Sequence, residues 1–325
     1  MEEACVPAKR RLSRLLRGLW NPLLVKELRG RMRGARAFVV LTVYLLLLSC
    51  FTSVIYYAFS ASASGPGGAS EMAYLGKVLF ASVVIIEIFM VTFITPAFTA
   101  GAISGEKERQ TYELLRTTLL PARKLVFGKF SSALIYMLLL ILAAVPLESL
   151  AFVLGGVQVG ELVLALVILL VAAFFFAALG LFFSSIMRST LASTILSYVV
   201  ALLGTVGLPI VLLLLAALLS PAVYSTSASP TAWMVEAALM YALILFSGLS
   251  PIATAVLTEA FLLEEDAFFY FPYDVGSYIY TGGVGTPPST IPIPSPWIIY
   301  VLIYMVAALL LLLITILQVR RQAKR

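Results

Sequence analysis

Histidine does not occur in this chain of 325 residues, cysteine and aspartate occur twice each, and charged residues make up only 12% of the sequence. The lack of histidine excludes the zinc, Ser-His and Cys-His catalytic schemes. Asp266 and Asp274 fall within one short segment, which argues against an aspartyl dyad built from two separate helices. Cys5 and Cys50 are too few for a disulfide framework. These absences favour a function other than catalysis.

Long apolar runs dominate the sequence instead. Hydrophobic residues make up 62% of the chain, and the mean hydropathy is +1.05. The runs are long enough to match the ~30 Å hydrocarbon core of a bilayer. We therefore predict an all-α integral membrane protein with one transmembrane domain over residues 38–325, whose six spanning helices cover residues 38–59, 74–100, 130–154, 161–186, 190–219 and 297–317.

Basic residues predict the orientation of these spans. Of 22 lysines and arginines, ten precede residue 37, six lie in 101–129 and four end the chain. Basic loops face the cytoplasm, so an even number of crossings is needed to place all three clusters there. We expect a multi-pass protein of the plasma or inner membrane with cytoplasmic N- and C-termini. The first 36 residues contain no apolar h-region, so they do not resemble a cleavable signal peptide.

A seventh apolar stretch, residues 232–263, is interrupted by Ser-Gly-Leu-Ser-Pro at 247–251. Glycine and proline interrupt helices, and neither half is long enough to cross the bilayer alone. A seventh crossing would also place the basic C-terminus outside. We favour a re-entrant hairpin that dips into the outer leaflet, followed by an external loop over 264–296. A kinked true span is the alternative.

The N-terminal residues 1–37 form a basic, amphipathic elbow region. Apolar residues recur there at helical spacing with lysine and arginine between them, which is typical of a helix lying along the inner membrane interface. Asn21 and Pro22 suit the cap and first turn of a helix, so we predict a helix from there to about Gly34. This region either anchors the first span or also contacts a cytoplasmic partner.

The segment "GEKERQTYELLR", residues 105–116, concentrates charge between the second and third spans. Its charges form i,i+3 pairs of opposite sign, such as Glu106 with Arg109, and its apolar residues share the opposite face. We predict a short amphipathic helix over 105–117, followed by a new helix that begins at Pro121 and leads into the third span. The paired charges of this helix cancel, which favours docking against a protein over docking against lipid.

Several motifs resemble those of the permease subunits of type-2 ABC transporters. They are "NPLLVKELRGRMRGARAF" from residue 21, "TPAFTAGAISGEKERQTYELLRTTLLPARKLVFGK" from 95, "VPLESLAFVLGG" from 145 and "LGLFFSSIMRST" from 179. The resemblance covers most of residues 21–200, and the insertion after the second span is its most specific element. It implies a six-helix half-transporter with an N-terminal elbow helix, a coupling helix in the loop 101–129, and a re-entrant hairpin before the last span.

In that family the coupling helix sits in a groove of the nucleotide-binding subunit. The resemblance assigns this contact to the matching positions here, which are Glu106, Glu108, Arg109, Thr111, Glu113 and Leu114. Where the family commonly has glycine before that threonine, this chain has Gln110. The implied partners are a cytoplasmic ABC ATPase that binds ATP and magnesium, a second copy of this chain or a sister permease, and membrane lipids. The implied activity is export.

The chain itself has no phosphate-binding loop, because no G-x-x-x-x-G-K-[ST] motif occurs in it. Gly128 and Lys129 lack the upstream glycine and are followed by Phe130. We therefore expect no catalytic residue, no bound cofactor or metal in this chain, and no nucleic-acid partner. ATP hydrolysis would belong to the partner subunit.

Two glutamates fall within the predicted spans. Glu87 lies near the middle of the second span, where a charged carboxylate is costly and should face the bundle interior or a cavity. Glu148 lies near the outer end of the third span, where we predict an interfacial position. Both are candidates for a translocation path, and a neutral Glu87 hydrogen-bonded between helices is the alternative. Small residues along the fourth span favour helix packing within the chain over a dimer contact: Ala173, Ala177, Gly180 and Ser184.

Two other functions stay open at this point. A secondary transporter also uses broken hydrophobic segments and buried carboxylates, but it usually has two related halves, and the 232–263 segment has no second counterpart. A membrane-anchoring subunit would recruit a cytoplasmic partner without moving a solute. It would show recruitment without any ATP-dependent change in the spans.

Overall fold

The computed structural model of the chain describes residues 22–32, 35–62, 69–111, 121–226, 232–265, 268–273 and 290–322. These residues are almost entirely helical. The helices are α1 (Pro22–Met32), α2 (Ala35–Ser62), α3 (Ala69–Thr99), α4 (Ser104–Glu108), α5 (Ala122–Leu154), α6 (Val159–Ile186), α7 (Thr190–Leu202), α8 (Leu208–Thr226), α9 (Ala232–Ser247), α10 (Pro251–Glu265) and α11 (Pro296–Gln322). Strands β1 (Tyr270–Tyr273) and β2 (Ile291–Pro294) pair antiparallel.

Six helical segments of the described chain are long and apolar enough to cross a membrane. They are α2, α3, α5, α6, α11 and the pair α7–α8, whose two helices are joined by a π-helical turn at Leu203–Gly207. Each coincides with one predicted span, because length and hydropathy identify such segments without knowledge of packing. The prediction of an all-α fold with six candidate spans is confirmed. The π-helical turn was not predicted.

Two helix starts agree with the proline signals in the sequence. α1 begins at Pro22, and α5 begins directly after Pro121, whose backbone is extended at φ −65° and ψ 140°. Proline pre-sets a φ that suits a first turn and lacks an N–H that would need a partner there. α1 packs against α5 and, to a smaller extent, α2. Residues 1–21 of the predicted elbow region lie outside the described residues.

α6 lies at the centre of the bundle and packs against α3, α5, α7 and α11. Its predicted small residues are all in the interior: Ala173, Ala177 and Ser184 are buried, and a Cβ built on Gly180 would overlap the Thr99 hydroxyl of α3. The interpretation of these residues as an internal packing face is confirmed. Small side chains allow helices in a membrane to approach closely, and dispersion contacts then hold them together.

The interruption predicted at residues 247–251 is present. α9 ends and α10 begins there, and the turn between them is buried within the bundle. The Tyr304 hydroxyl donates to the Leu249 carbonyl oxygen over 2.9 Å, and Ser250 Oγ donates to the Thr205 carbonyl oxygen over 3.2 Å. These side chains satisfy backbone carbonyls at the two irregular points of the bundle, the broken helix and the π-helical turn.

The short antiparallel pair β1–β2 lies ahead of α11 and was not predicted. Each strand contains proline, which donates no backbone hydrogen bond and is therefore tolerated on edge strands, and both strands of a two-stranded pair are edges. The Trp297 indole donates to the Phe268 carbonyl oxygen over 2.7 Å and joins this pair to the start of α11. Residues 266–267 and 274–289 of the predicted external loop lie outside the described residues.

We expect Gly180→Ala to destabilise the bundle, because the new methyl group would overlap the Thr99 hydroxyl. Overpacking of this kind costs about 1–3 kcal/mol, which should lower the melting temperature of the detergent-purified protein. Gly204→Ala is the matched control, since a Cβ built on Gly204 has no neighbour within 4 Å among the described residues. Equal melting temperatures for the two variants would contradict this packing.

Candidate functional site

Residues 100–111 are the described part of the connection between α3 and α5, and Lys129 of α5 is their main anchor. Its ammonium donates to Glu106 Oε1 over 2.6 Å, to the Ala102 carbonyl oxygen over 2.8 Å and to Glu27 Oε1 of α1 over 3.3 Å. Lys129 is only 3% exposed, and an ammonium so far from water requires such partners. The buried Lys129 ammonium therefore joins α1 and residues 100–111 to the N-terminal part of α5.

Ser184 and Ser185, near the end of α6, hold the start of α4. Ser184 Oγ accepts hydrogen bonds from the backbone N–H of Ile103 over 2.8 Å and of Ser104 over 2.9 Å. Such N–H groups in a first helical turn lack a partner within the helix. Lys107 then donates to the Ser185 carbonyl oxygen over 2.5 Å, at a helix end where a cation is favoured. Hydrogen bonds thus join both ends of α4 to the C-terminal end of α6.

Glu108 joins α4 to the start of α7. Its carboxylate oxygens accept hydrogen bonds from the backbone N–H and the hydroxyl of Thr190, each over 2.8 Å. Thr190 is the first residue of α7, so the carboxylate also lies at the positive end of a helix. The two hydrogen bonds lower the pKa of the exposed Glu108 carboxyl. Glu108 is therefore ionised at neutral pH and caps α7 from outside.

The helix predicted over residues 105–117 is shorter in the structure. α4 ends at Glu108, and Gln110 has a φ of 57°, a left-handed conformation that ends a right-handed helix. Glycine would adopt that φ without steric cost. The predicted pairing of Glu106 with Arg109 is also wrong, because Glu106 bonds Lys129 instead. Sequence patterns describe neighbours along one helix, whereas these partners come from other helices.

The six positions assigned to a partner contact therefore differ in their surroundings. Glu106 and Glu108 are bonded within the chain, whereas Arg109 and Thr111 are exposed on the surface just after α4. Glu113 and Leu114 lie outside the described residues. The anchoring roles of Lys129, Ser184 and Thr190 were missed from the sequence, where Lys129 was considered as a basic-cluster charge and in a phosphate-loop motif, and Ser184 as a small packing residue.

A second polar cluster lies deep in the bundle. The Tyr44 hydroxyl of α2 donates to Glu87 Oε1 of α3 over 2.7 Å, and both side chains are buried. Glu148 of α5 lies beside them, near enough for its carboxyl to interact with that of Glu87. Glu87 Oε2 nevertheless has no partner in hydrogen-bonding geometry among the described residues. Two acids and a phenol from three helices thus meet in the interior.

Glu148, for which an interfacial position was predicted, is buried within the bundle. This side chain is only 3% exposed, and it lies close enough to Tyr44 of α2 and Glu87 of α3 to interact with both. Nearness to a span end suggested the interface, but the distance along a helix does not show which way a side chain points.

Among the described residues, no group of three or more cysteine, aspartate or glutamate side chains could hold a metal ion.

A family model described as ABC-2 family transporter protein matches residues 22–320. The chain belongs to this ABC-2 family. The family is a membrane component of transporters and not itself a catalytic enzyme, and membership implies association with an ATPase subunit. A search of curated proteins finds no match.

In this ABC-2 chain, we expect Lys129→Met to weaken the fold, because Glu27 and Glu106 would keep partly buried carboxylates without their cation. Breaking a buried ion pair costs about 3–5 kcal/mol, and the partial exposure of both glutamates favours the lower end. Thermal unfolding of the purified protein would measure the loss. Arg123→Met, on the exposed side of α5, is the matched control.

The double variant Lys129→Met/Glu106→Gln tests the cause of that loss. It removes one uncompensated carboxylate, so we expect it to recover part of the stability that Lys129→Met loses. A double variant that is less stable than Lys129→Met would show that the ammonium does not act through Glu106.

We also expect Gln110→Gly to stabilise the ABC-2 chain and Gln110→Ile to destabilise it. A residue with a Cβ in the left-handed region costs on the order of 1 kcal/mol, and β-branched residues fit there worst. Glycine removes this cost, although the greater freedom of glycine in the unfolded chain offsets part of the gain. Melting temperatures of the two variants that fall in the opposite order would contradict the φ of 57° at this position.

Proposed function

We propose that this chain is the permease subunit of an ABC exporter, driven by ATP hydrolysis in a separate partner subunit. The observation that carries the proposal is the bonding of residues 100–111 to three candidate spans: Lys129 of α5, Ser184 of α6 and Thr190 of α7. A segment bonded in this way cannot shift without moving the ends of those helices. It therefore suits the transmission of movement from a partner into the bundle.

The partner ATPase would contact the surface just after α4. We assign the contact to Arg109 and Thr111 with Glu113 and Leu114, while Glu106 and Glu108 hold α4 in place from within. Closure of an ATPase dimer on ATP would push on this surface. α5 would carry the movement inward, since it continues as one helix from Ala122 to Leu154. ATP and magnesium would be bound by the partner.

The topology proposed for this permease has both termini in the cytoplasm and α9–α10 as a re-entrant hairpin. Contacts of the two helices support it. Tyr304, about two turns into α11, bonds the turn between them, whereas Tyr241 of α9 donates over 2.9 Å to the Pro292 carbonyl oxygen, just before α11 begins. Glu259 of α10 interacts with Glu161, near the start of α6. α9 and α10 thus both extend from a buried turn toward the same end of the bundle.

A second copy of the chain, or a sister permease, would complete the transporter. α2 and α7–α8 support this part of the proposal, because they are the least buried of the six candidate spans and they expose many large apolar side chains. A second permease would cover part of this surface, and lipids would cover the rest. Glu87 and Glu148 are the proposed polar residues of the translocation path, since they bring buried acids from two helices together.

That buried acid pair also supports a second candidate function, a secondary transporter that exchanges a proton or cation for its substrate. Such a protein would transport in the absence of any ATPase. An anchoring subunit, in contrast, would recruit the ATPase but would show no ATP-dependent change in its spans. Substrate-independent measurements of recruitment and ATPase stimulation therefore separate the three functions.

The test is co-expression of this chain with an ATPase encoded beside it. We expect the two to co-purify, and we expect Arg109→Glu to weaken the complex and its ATPase stimulation about tenfold, as for a reversed charge at an interface. Arg109→Lys keeps the charge and is the matched control. Arg109 is exposed and makes no ion pair with the described residues, so the isolated Arg109→Glu chain should melt close to the wild-type temperature.

Co-purification and ATPase stimulation that are both unaffected by Arg109→Glu would overturn this contact surface. Lys129→Met separates transmission from docking, because it changes the attachment of residues 100–111 to α5 but replaces none of the exposed contact residues. Loss of ATPase stimulation with retained co-purification is the expected result for a transmitting segment. If Lys129→Met reduces neither ATPase stimulation nor co-purification, the anchoring function would be favoured.

A further inference from the structure

A cavity of about 280 Å³ lies between α3, α6 and α10, at the end of the bundle opposite to residues 100–111. Glu161, near the start of α6, lines the cavity, whereas Ser184, near the other end of this helix, bonds α4. Apolar side chains form most of the wall, among them Phe80 and Ile168. The volume is near the lower end of the ~300–1,000 Å³ typical of small-molecule sites.

Three residues that line the cavity each have one oxygen atom buried without a hydrogen-bond partner among the described residues: Glu161 Oε1, Thr258 Oγ1 and Glu259 Oε1. Glu161 and Thr258 are each only 2% exposed. Buried polar atoms in folded proteins nearly always have a partner, because leaving one without a partner is costly. Three such atoms on one apolar cavity indicate a site that accepts hydrogen bonds from a ligand.

Two carboxyl groups share this site with one cation. The Lys77 ammonium lies 3.6 Å from Glu161 Oε1, within ion-pair range but beyond a hydrogen bond. Lys77 pairs with Glu161, and Glu259 has no ion pair among the described residues. A primary ammonium group carries one positive charge, three N–H donors and no acceptor. It can therefore pair with the Glu259 carboxyl group and supply the hydrogen bonds that the three oxygens lack.

We infer that this cavity binds a single-chain amphiphile with a primary ammonium head, which contacts Glu161, Thr258 and Glu259 while its apolar chain lies along the wall. Val256 on the cavity wall is 47% exposed, so the ligand would enter from the side of the bundle that faces lipid. A two-chain phospholipid is too large for the cavity and would bring its phosphate next to the carboxylates. This inference goes beyond the proposed function and does not require an ATPase.

The test uses the full chain in phosphatidylcholine nanodiscs, whose lipid has no primary amine. The probe is dodecylamine carrying a photoreactive diazirine on its chain, and labelled residues are mapped by mass spectrometry. We expect saturable labelling of α3, α6 and α10 that excess dodecylamine removes. Dodecyltrimethylammonium, which has the charge but no N–H donor, and N-acetyl dodecylamine, which is neutral, should compete at least about tenfold less well.

Two kinds of variant test the residues that carry the inference. Glu259→Gln and Thr258→Val remove the charge or the hydroxyl, and each should weaken probe affinity, by about tenfold or more for Glu259→Gln. Ala255→Phe should block labelling by filling the cavity without a change in charge. Leu257→Phe is its matched control, because Leu257 lies on the same helix but does not line the cavity.

Labelling that never saturates, or that spreads over all spans as it would for simple partition into lipid, would overturn the inference. So would equal competition by dodecyltrimethylammonium, or displacement by phosphatidylethanolamine but not by dodecylamine, which would identify a lipid site instead. The competition results come from the wild-type chain, so they decide the outcome even if one variant fails to fold. If the chain does not bind an ATPase, the results expected from this labelling experiment stay the same.

Discussion

The burial of one ammonium group constrains the whole end of the bundle at which residues 100–111 lie. Lys129 is almost fully enclosed, and a charge removed from water is tolerated only when several oxygen atoms surround it. Those oxygens come from α1 and from residues 100–111. Because all of them must be in place together, the positions of α1, α4 and α5 depend on one another. The neighbouring bonds from Ser184 and Glu108 extend this dependence to α6 and α7.

The two ends of the bundle use polar groups differently. Around α4, backbone donors and charged side chains bond each other, and this end is therefore suited to transmit movement as one unit. At the opposite end, Glu161, Thr258 and Glu259 line a cavity, and one oxygen atom of each has no hydrogen-bond partner in the described part of the chain. α6 connects the two ends, and its small residues keep it tightly packed against the neighbouring helices. A ligand at one end and a partner at the other would therefore act on the same central helix.

Between these ends, most hydroxyl groups are satisfied locally. Thr92, Thr95 and Thr99 of α3 each donate to the carbonyl oxygen four residues earlier, which is how such side chains are accommodated in apolar surroundings. Few side chains therefore bond between helices in the interior. The contact of Tyr44 with Glu87, and the approach of Glu148 to them, is an exception in the described bundle that joins two side chains of different helices. It places ionisable groups where the surrounding helices offer few other polar partners.

The six spans, the break at residues 247–251 and the helix starts at Pro22 and after Pro121 followed from the sequence, because hydropathy, helix length and proline geometry act locally. The partners of charged side chains did not. Lys129 and Glu27 are 102 positions apart in the chain, and only the packing of α1 against α5 brings them together. For the same reason, the burial of Glu148 and the end of α4 before Gln110 were decided by tertiary structure. Local patterns specify which segments are helical, whereas long-range packing specifies which polar atoms meet.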